Sequence, residues 1–385
     1  ILSYMSFAIG YIAGPFGAIF FGHIGDRKGR KVTMYASLLM MGISTSIIGI
    51  LPPAASAGVG VVIVLQLMRL AQCFGRGGTW GGGILMAYEN VPENKRSFYA
   101  AIPQIGLPIG FGLSSILIAV PTLLLPEDIF FTWGWRIPFL AAIILTLIVI
   151  RQKGEMMETE DYKKAQAKLE AEEAEGKKHK VGFIPMVKGY WKTLLLGCGT
   201  RWVDGTFYNI FIVWILSYCI NWLGMPLIQT YIITIIACIF KIPFTLFGGW
   251  CAQKLGNTRT FVIGALASAV LSIPTLKVIE LSKGNLAITI IGIVLGWSIA
   301  YNLIWAVISS LWSSYFETEV RYSGISFVYH VPSFLVAGMV PTICTLLINY
   351  GKGDTIYVGI YSTVVALISA ACALALKARH DRGEK

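Results

Sequence analysis

Arg201, Asp204 and Tyr208 stand three and four residues apart within one apolar stretch. On a helix that spacing places all three on one face. A carboxylate beside a guanidinium, away from water, can remain a fixed ion pair. It can also take up a proton when another anion claims the guanidinium. Arg69, Gln72 and Arg76 share a face by the same rule, with Cys73 between them. A cation in the middle of an apolar span costs about 2.5–3.5 kcal/mol, so it must face a polar cavity or a partner. Arg69 is read as lining a central cavity; the alternative, for it and for Arg76, is a carbonyl or acid on a neighbouring helix. Lys241, just before Pro243, has the same two readings, and the His330 imidazole either relays a proton or packs as a polar side chain. Tyr208, Tyr301 and Asn302, with Trp297 and Tyr329, either orient a solute or pack helices. The deep cations Arg69, Arg201, Lys241 and Arg76 outnumber the one deep acid, Asp204. A small organic anion is the expected ligand, since the planar guanidinium fork suits a carboxylate.

The elements that hold these residues follow from composition. With 56% hydrophobic and 13% charged residues, the 385-residue chain is too apolar for a soluble domain and reads as an all-α polytopic membrane protein. The net charge of +11 does not point to nucleic acid, because the cations gather in short loops and in the last residues. The seven cysteines show no CxxC or Cys/His ligand spacing and read as small buried hydrophobes. Neither a nucleophile triad nor a dinucleotide fingerprint occurs. The glycine cluster from Gly75 to Gly83 is followed by no phosphate-loop lysine, so it reads as close helix packing. No enzyme, metal or cofactor is expected.

Apolar runs of about 20 residues recur near 2–21, 32–51, 59–88, 98–120, 135–150, 192–222, 228–250, 260–280, 286–312, 323–349 and 355–377. About eleven spans are predicted. Alternate connections carry the Lys and Arg residues, which puts 22–31, the long hydrophilic segment after Arg151 and the C-terminal tail on the cytoplasmic side. The organisation expected is an N-terminal bundle over 1–150, a partly helical cytoplasmic linker over 151–190, a C-terminal bundle over 191–377 and a tail over 378–385. Between the first two spans lies GHIGDRKGRK, residues 22–31, and a degraded copy, GGWCAQKLGNTR, recurs at 248–259 with Gln253 in place of Asp26. An internal repeat about a central linker is a common transporter plan.

GPFGAIFFGHIGDRKGRK at 14–31, RLAQCFGRGGTWGGGILMAYE at 69–89, WGWRIPF at 133–139 and VRYSG at 320–324 together resemble the major facilitator superfamily, and within it the metabolite:proton symporter branch. The resemblance departs at Gly14, Cys73, Arg76, Thr79, Gln253, Ser314 and Glu317. It implies two pseudo-repeated six-helix bundles rocking about a shared site. The loop sits so close to Ile1 that one further span is expected before it; the other reading is a chain that begins on the outer face. By the same resemblance Gly22, Asp26, Arg27, Gly29, Arg30 and Lys31, with Glu89 and Arg96 in their E-x6-R spacing, form a gating network that ties helix ends together. Asp204 and His330 are the candidates for proton coupling. Arg69, Gln72, Arg76, Arg201, Tyr208, Lys241, Tyr301 and Asn302 are the candidates for substrate.

The function expected is proton-coupled symport of a small carboxylate metabolite by a multi-pass plasma-membrane protein. Its partners are then a small-molecule substrate, protons and the bilayer, with no nucleic acid, in a monomer. A carrier of a neutral or zwitterionic solute, and a non-transporting sensor, stay open.

Overall fold

The computed structural model describes residues 2–53, 58–152, 163–164, 166–167 and 183–384, with side chains described from Gly10 and again from Met186. Most of the expected linker lies outside these residues. Among the described residues every regular element is helical. The first long helix, α1, is Leu2–Lys28. Among the described residues ten other helices are long and apolar enough to cross a membrane: α2 Arg30–Ile50, α3 Val59–Glu89, α4 Glu93–Leu124, α5 Gly134–Arg151, α6 Met186–Asn221, α7 Leu227–Leu255, α8 Asn257–Leu281, α9 Leu286–Ser313, α10 Arg321–Tyr350 and α11 Ile356–Asp381. These match the apolar runs of the sequence one for one, because a helix must satisfy all its backbone groups internally where no water reaches them.

In the first half α3 packs against both α1 and α2, and α2 lies along α5; in the second, α11 lies against α6 and α8, and α9 against α7 and α8. The halves meet along two seams, α1 with α10 and α4 with α7. Two glycines mark the internal repeat. Gly29 (φ 104°) joins α1 to α2, and Gly256 (φ 89°) joins α7 to α8, each three residues after Asp26 or its counterpart Gln253. A side chain is strained at such φ values, so both copies keep glycine at the turn.

The core is heaviest in the second half, where Trp297, Trp312, Tyr301, Phe207 and Phe211 are fully buried. Outward positions are apolar, as lipid-facing positions must be: Phe16 is 62% and Ile50 is 70% exposed. Three second-half helices contain a widened turn: Ile210–Trp214 in α6, Val294–Ala300 in α9 and Phe334–Gly338 in α10. The Tyr301 and Met339 amides accordingly bond to carbonyls five residues back, those of Gly296 and Phe334. A widened turn inserts a residue into the ladder and re-aims the side chains beside it.

Candidate functional site

Between the halves lies a cavity of about 360 Å3. The first half contributes Tyr11, Arg76, Trp80 and Gln104; the second contributes Arg201, Asp204, Tyr208, Asn209, Trp305 and Tyr329. Two of the widened turns stand at its wall: Asn209 directly precedes the one in α6, and Ser333 and Ala337 flank and join the one in α10.

The spacing of Arg201 and Asp204 produces the expected pair. Arg201 Nη1 donates to Asp204 Oδ2, and both residues are buried. The other carboxylate oxygen, Oδ1, accepts the Tyr301 hydroxyl. Arg201 Nε also donates to the Tyr329 carbonyl at 3.3 Å, and its guanidinium lies 4.2 Å from the Tyr329 ring centre. Arg76 faces the same space from α3, its guanidinium 4.7 Å from the centre of the Tyr11 ring and its Nε without a hydrogen-bond acceptor. Among the described residues the groups at the wall are therefore two guanidinium cations and one carboxylate.

Other sequence candidates sit elsewhere. Arg69 is exposed and lines a separate cavity of about 610 Å3 inside the first half, so the central position expected of it is corrected. Gln72 lines that same space and donates to Thr45 Oγ1 at 2.7 Å. Both cavities share Tyr11 and Arg76. The face shared by Arg69, Gln72 and Arg76 is real, but only Arg76 is far enough along α3 to reach the second half. Lys241, Tyr301 and Asn302 are fully buried next to the central space rather than among the residues lining it. His330 is buried too, its ring 4.8 Å from that of Tyr329, and a Cβ at Gly14 would lie 3.4 Å from its Nδ1.

Trp80, Gln104, Asn209 and Trp305 were not among the sequence candidates. Trp80 stacks on Tyr329 across the halves at 4.0 Å. Gln104 Nε2 donates to the Trp305 carbonyl, and Trp305 Nε1 donates to the Gln104 carbonyl, both at 3.1 Å. An amide within the apolar middle of α4 was the available signal for Gln104; the tryptophans carry none beyond their type.

At the end bearing GHIGDRKGRK the halves are latched. Asp26 Oδ2 accepts from the Ser323 amide at 3.1 Å and from its hydroxyl at 2.5 Å. Arg30 pairs with Asp26 at 3.2 Å, donates to the Thr318 carbonyl at 2.9 Å and approaches Glu89 at 3.6 Å. Gly22 presses against Ser323, where a Cβ would lie 3.1 Å from Cα. Within the expected network Glu89 pairs with Arg30 and Arg321, and Arg96 meets Glu93 at 3.7 Å. Arg27 is exposed and Lys31 half-buried at this end.

A family model for the Major Facilitator Superfamily matches residues 2–341. The chain is 33% identical to the inner membrane metabolite transport protein YhjE of Escherichia coli K12, covering 98% of this chain and 85% of that one. It is 30% identical to the shikimate transporter of the same strain, over 97% and 84% of the two chains. With the proline/betaine transporter of Salmonella typhimurium the identity is 27%, over 98% and 75%. Among solved structures the proton:xylose symporter XylE bound to 6-bromo-6-deoxy-D-glucose shares the fold, with TM-score 0.76 and 16% identity over 97% of this chain and 85% of that one.

Proposed function

Because this chain belongs to the major facilitator superfamily, and so is a multi-pass membrane transporter rather than an enzyme, we propose that it is a secondary carrier of a small organic anion, driven by protons and working by alternating access. The observation that carries this reading is the Arg201–Asp204–Tyr301 network facing Arg76 across the central cavity. Two cations against one carboxylate leave the wall with net positive charge, which favours an anion in a space of low dielectric.

A substrate carboxylate entering the cavity meets Arg76 and competes with Asp204 for Arg201. The fork of Arg201 suits either carboxylate, so the exchange costs little in hydrogen bonds. Asp204, released from its counter-charge and out of water, then takes a proton. Tyr301 holds the other oxygen of Asp204 in place throughout. Substrate and proton are bound together, and the halves rock about them. In the conformation seen here the charged end is latched by Asp26, Arg30, Glu89, Arg321 and Ser323. The Lys and Arg content of that end supports a cytoplasmic position for it, together with the linker and tail. Both halves of the site come from one chain, which suits a monomer in the plasma membrane. The shikimate transporter is by its name a carrier of a carboxylate solute, which supports the reading.

The test is uptake into proteoliposomes with an imposed pH gradient, screened over mono-, di- and tricarboxylates, sugars, amino acids and betaines. Gradient-driven accumulation of a carboxylate is expected. Asp204→Asn should lose that accumulation and keep exchange. Unchanged accumulation in this variant removes Asp204 from coupling, and accumulation of neutral solutes alone overturns the anion reading.

A further inference from the structure

Lys241 is fully buried in α7, and its ammonium sits in a box of aromatic rings. Nζ lies 4.4 Å from the centre of the Tyr301 ring, 4.5 Å from that of Trp297 and 6.0 Å from that of Trp305. It donates one hydrogen bond, to Asn302 Oδ1 at 3.0 Å. Asn302 is held in that orientation because its own Nδ2 donates to the Lys241 carbonyl at 2.8 Å and to Thr245 Oγ1 at 3.1 Å. Among the described residues no carboxylate forms an ion pair with Lys241. A buried ammonium with no acid paired to it needs other compensation, and ring faces supply it beside the nearby charge of Asp204. Rings from neighbouring turns of one helix can form such a box only if they share a face. Trp297, Tyr301 and Trp305 stand at i, i+4 and i+8 along α9, the spacing that shares a helical face, and the first of them lies in the widened turn Val294–Ala300.

Three aromatic faces around one cation is the arrangement by which proteins recognise quaternary ammonium and methylated amines. Here the chain fills it with its own cation. The box adjoins the central cavity on two sides: Trp305 lines that cavity, and Tyr301 bonds to Asp204, which lines it too. We propose that Trp297, Tyr301 and Trp305 form a cation cage that Lys241 occupies as a tethered ligand, and that this occupancy excludes alkylammonium and betaine-like solutes while favouring anions. The cage itself stands on geometry alone; its consequence for selectivity rests on the anion reading above.

The experiment uses the purified full-length protein and two variants, Lys241→Ala, which vacates the cage, and Lys241→Met, which keeps its volume without the charge. Tetramethylammonium and methylammonium are titrated while tryptophan fluorescence is followed, since two of the three walls are tryptophans. Wild type should give no saturable response, and Lys241→Ala should bind at least about tenfold more tightly, losing that binding when Trp297→Leu is added. A folded Lys241→Ala protein without a saturable response overturns the cage. Should the vacated cage fail to fold, Lys241→Met decides the matter in proteoliposomes: inhibition of uptake by glycine betaine, relative to a carboxylate, should strengthen about tenfold, with Lys241→Arg restoring the original ranking. An unchanged ranking overturns the proposal. If wild type accumulates no carboxylate yet Lys241→Ala gains alkylammonium binding, the anion reading falls and the cage stands. Carboxylate uptake by wild type with no gain in Lys241→Ala has the reverse meaning.

Discussion

Arg321 reaches across the seam between the two halves to Glu89, Nη1 to Oε1 at 3.0 Å, joining residues 232 positions apart in the chain. Arg30 approaches the other oxygen of the same carboxylate at 3.6 Å, so one acid serves a cation from each half. The Glu89 side chain is fully buried and that of Arg321 is 10% exposed.

Glu89→Gln removes the charge that two buried guanidinium groups share. Breaking a buried pair on one side costs about 3–5 kcal/mol, and here the cost falls on the latched conformation, because opening lets water reach both arginines. The expected outcome is a shift of population away from the latched form with substrate affinity changed far less. Distances between spin labels on the charged ends of α1 and α10, measured with and without the substitution, check this. A distance distribution that does not move removes Glu89 from the latch.

Arg69 and Arg76 are two helical turns apart on one face of α3, yet only Arg76 lines the space shared with the second half. Arg76→Gln should therefore raise KM for a transported anion by about tenfold or more, the value of one charge-assisted hydrogen bond. Arg69→Gln should leave it within about twofold, since an exposed charge is screened. Uptake kinetics of the two variants side by side decide it, and equal effects would place the substrate in the first-half cavity instead.

Gln104 of α4 and Trp305 of α9 exchange two hydrogen bonds between the halves, but the bonds use different groups of Gln104. Gln104→Leu removes only the bond from its amide, because the indole of Trp305 bonds to the Gln104 backbone. Trp305→Phe removes only the other. Each should cost about 0.5–1.5 kcal/mol, and the double variant should approach their sum. Thermal unfolding in detergent measures all three. Complete loss from either single variant would mean that the two bonds stand or fall together.

The spans were readable because each is an unbroken apolar run, and the latch was readable in part because Asp26 and the glycines of its loop exceed what a topology signal needs. The partners of Glu89 were not readable because sequence spacing shows only neighbours on the same chain segment. Arg321 arrives from α10, brought by the seam with α1. Depth was the second limit: the pattern along α3 shows that Arg69 and Arg76 share a face but not which one stands opposite Arg201. The widened turns in α6, α9 and α10 were the third. Each adds a residue to the helical ladder at a point of ordinary apolar composition, and Asn209 and Trp305 lie one residue before and five residues after such turns. Gly17 and Gly83 show the same limit in packing.

Both lie in glycine-containing stretches of the first half, and nothing in their spacing separates them. At Gly17 a Cβ would fall 2.0 Å from the Phe74 carbonyl oxygen, and at Gly77 one would fall 2.4 Å from the Ala18 nitrogen, so α1 and α3 cross backbone to backbone. At Gly83 a Cβ would meet nothing within 4 Å. Backbone cannot yield as a flexible side chain can, so Gly17→Ala must push the two helices apart along a crossing that also holds Arg76 near Tyr11. A loss of about 1–3 kcal/mol is expected, with weakened uptake because the wall of the central cavity moves. Gly83→Ala lies inside a helix with room for the methyl group and should stabilise by about 0.5–1 kcal/mol. Melting temperatures of the two variants in the same detergent, read against wild type, should therefore move in opposite directions. A tolerated Gly17→Ala would contradict the close crossing of α1 and α3.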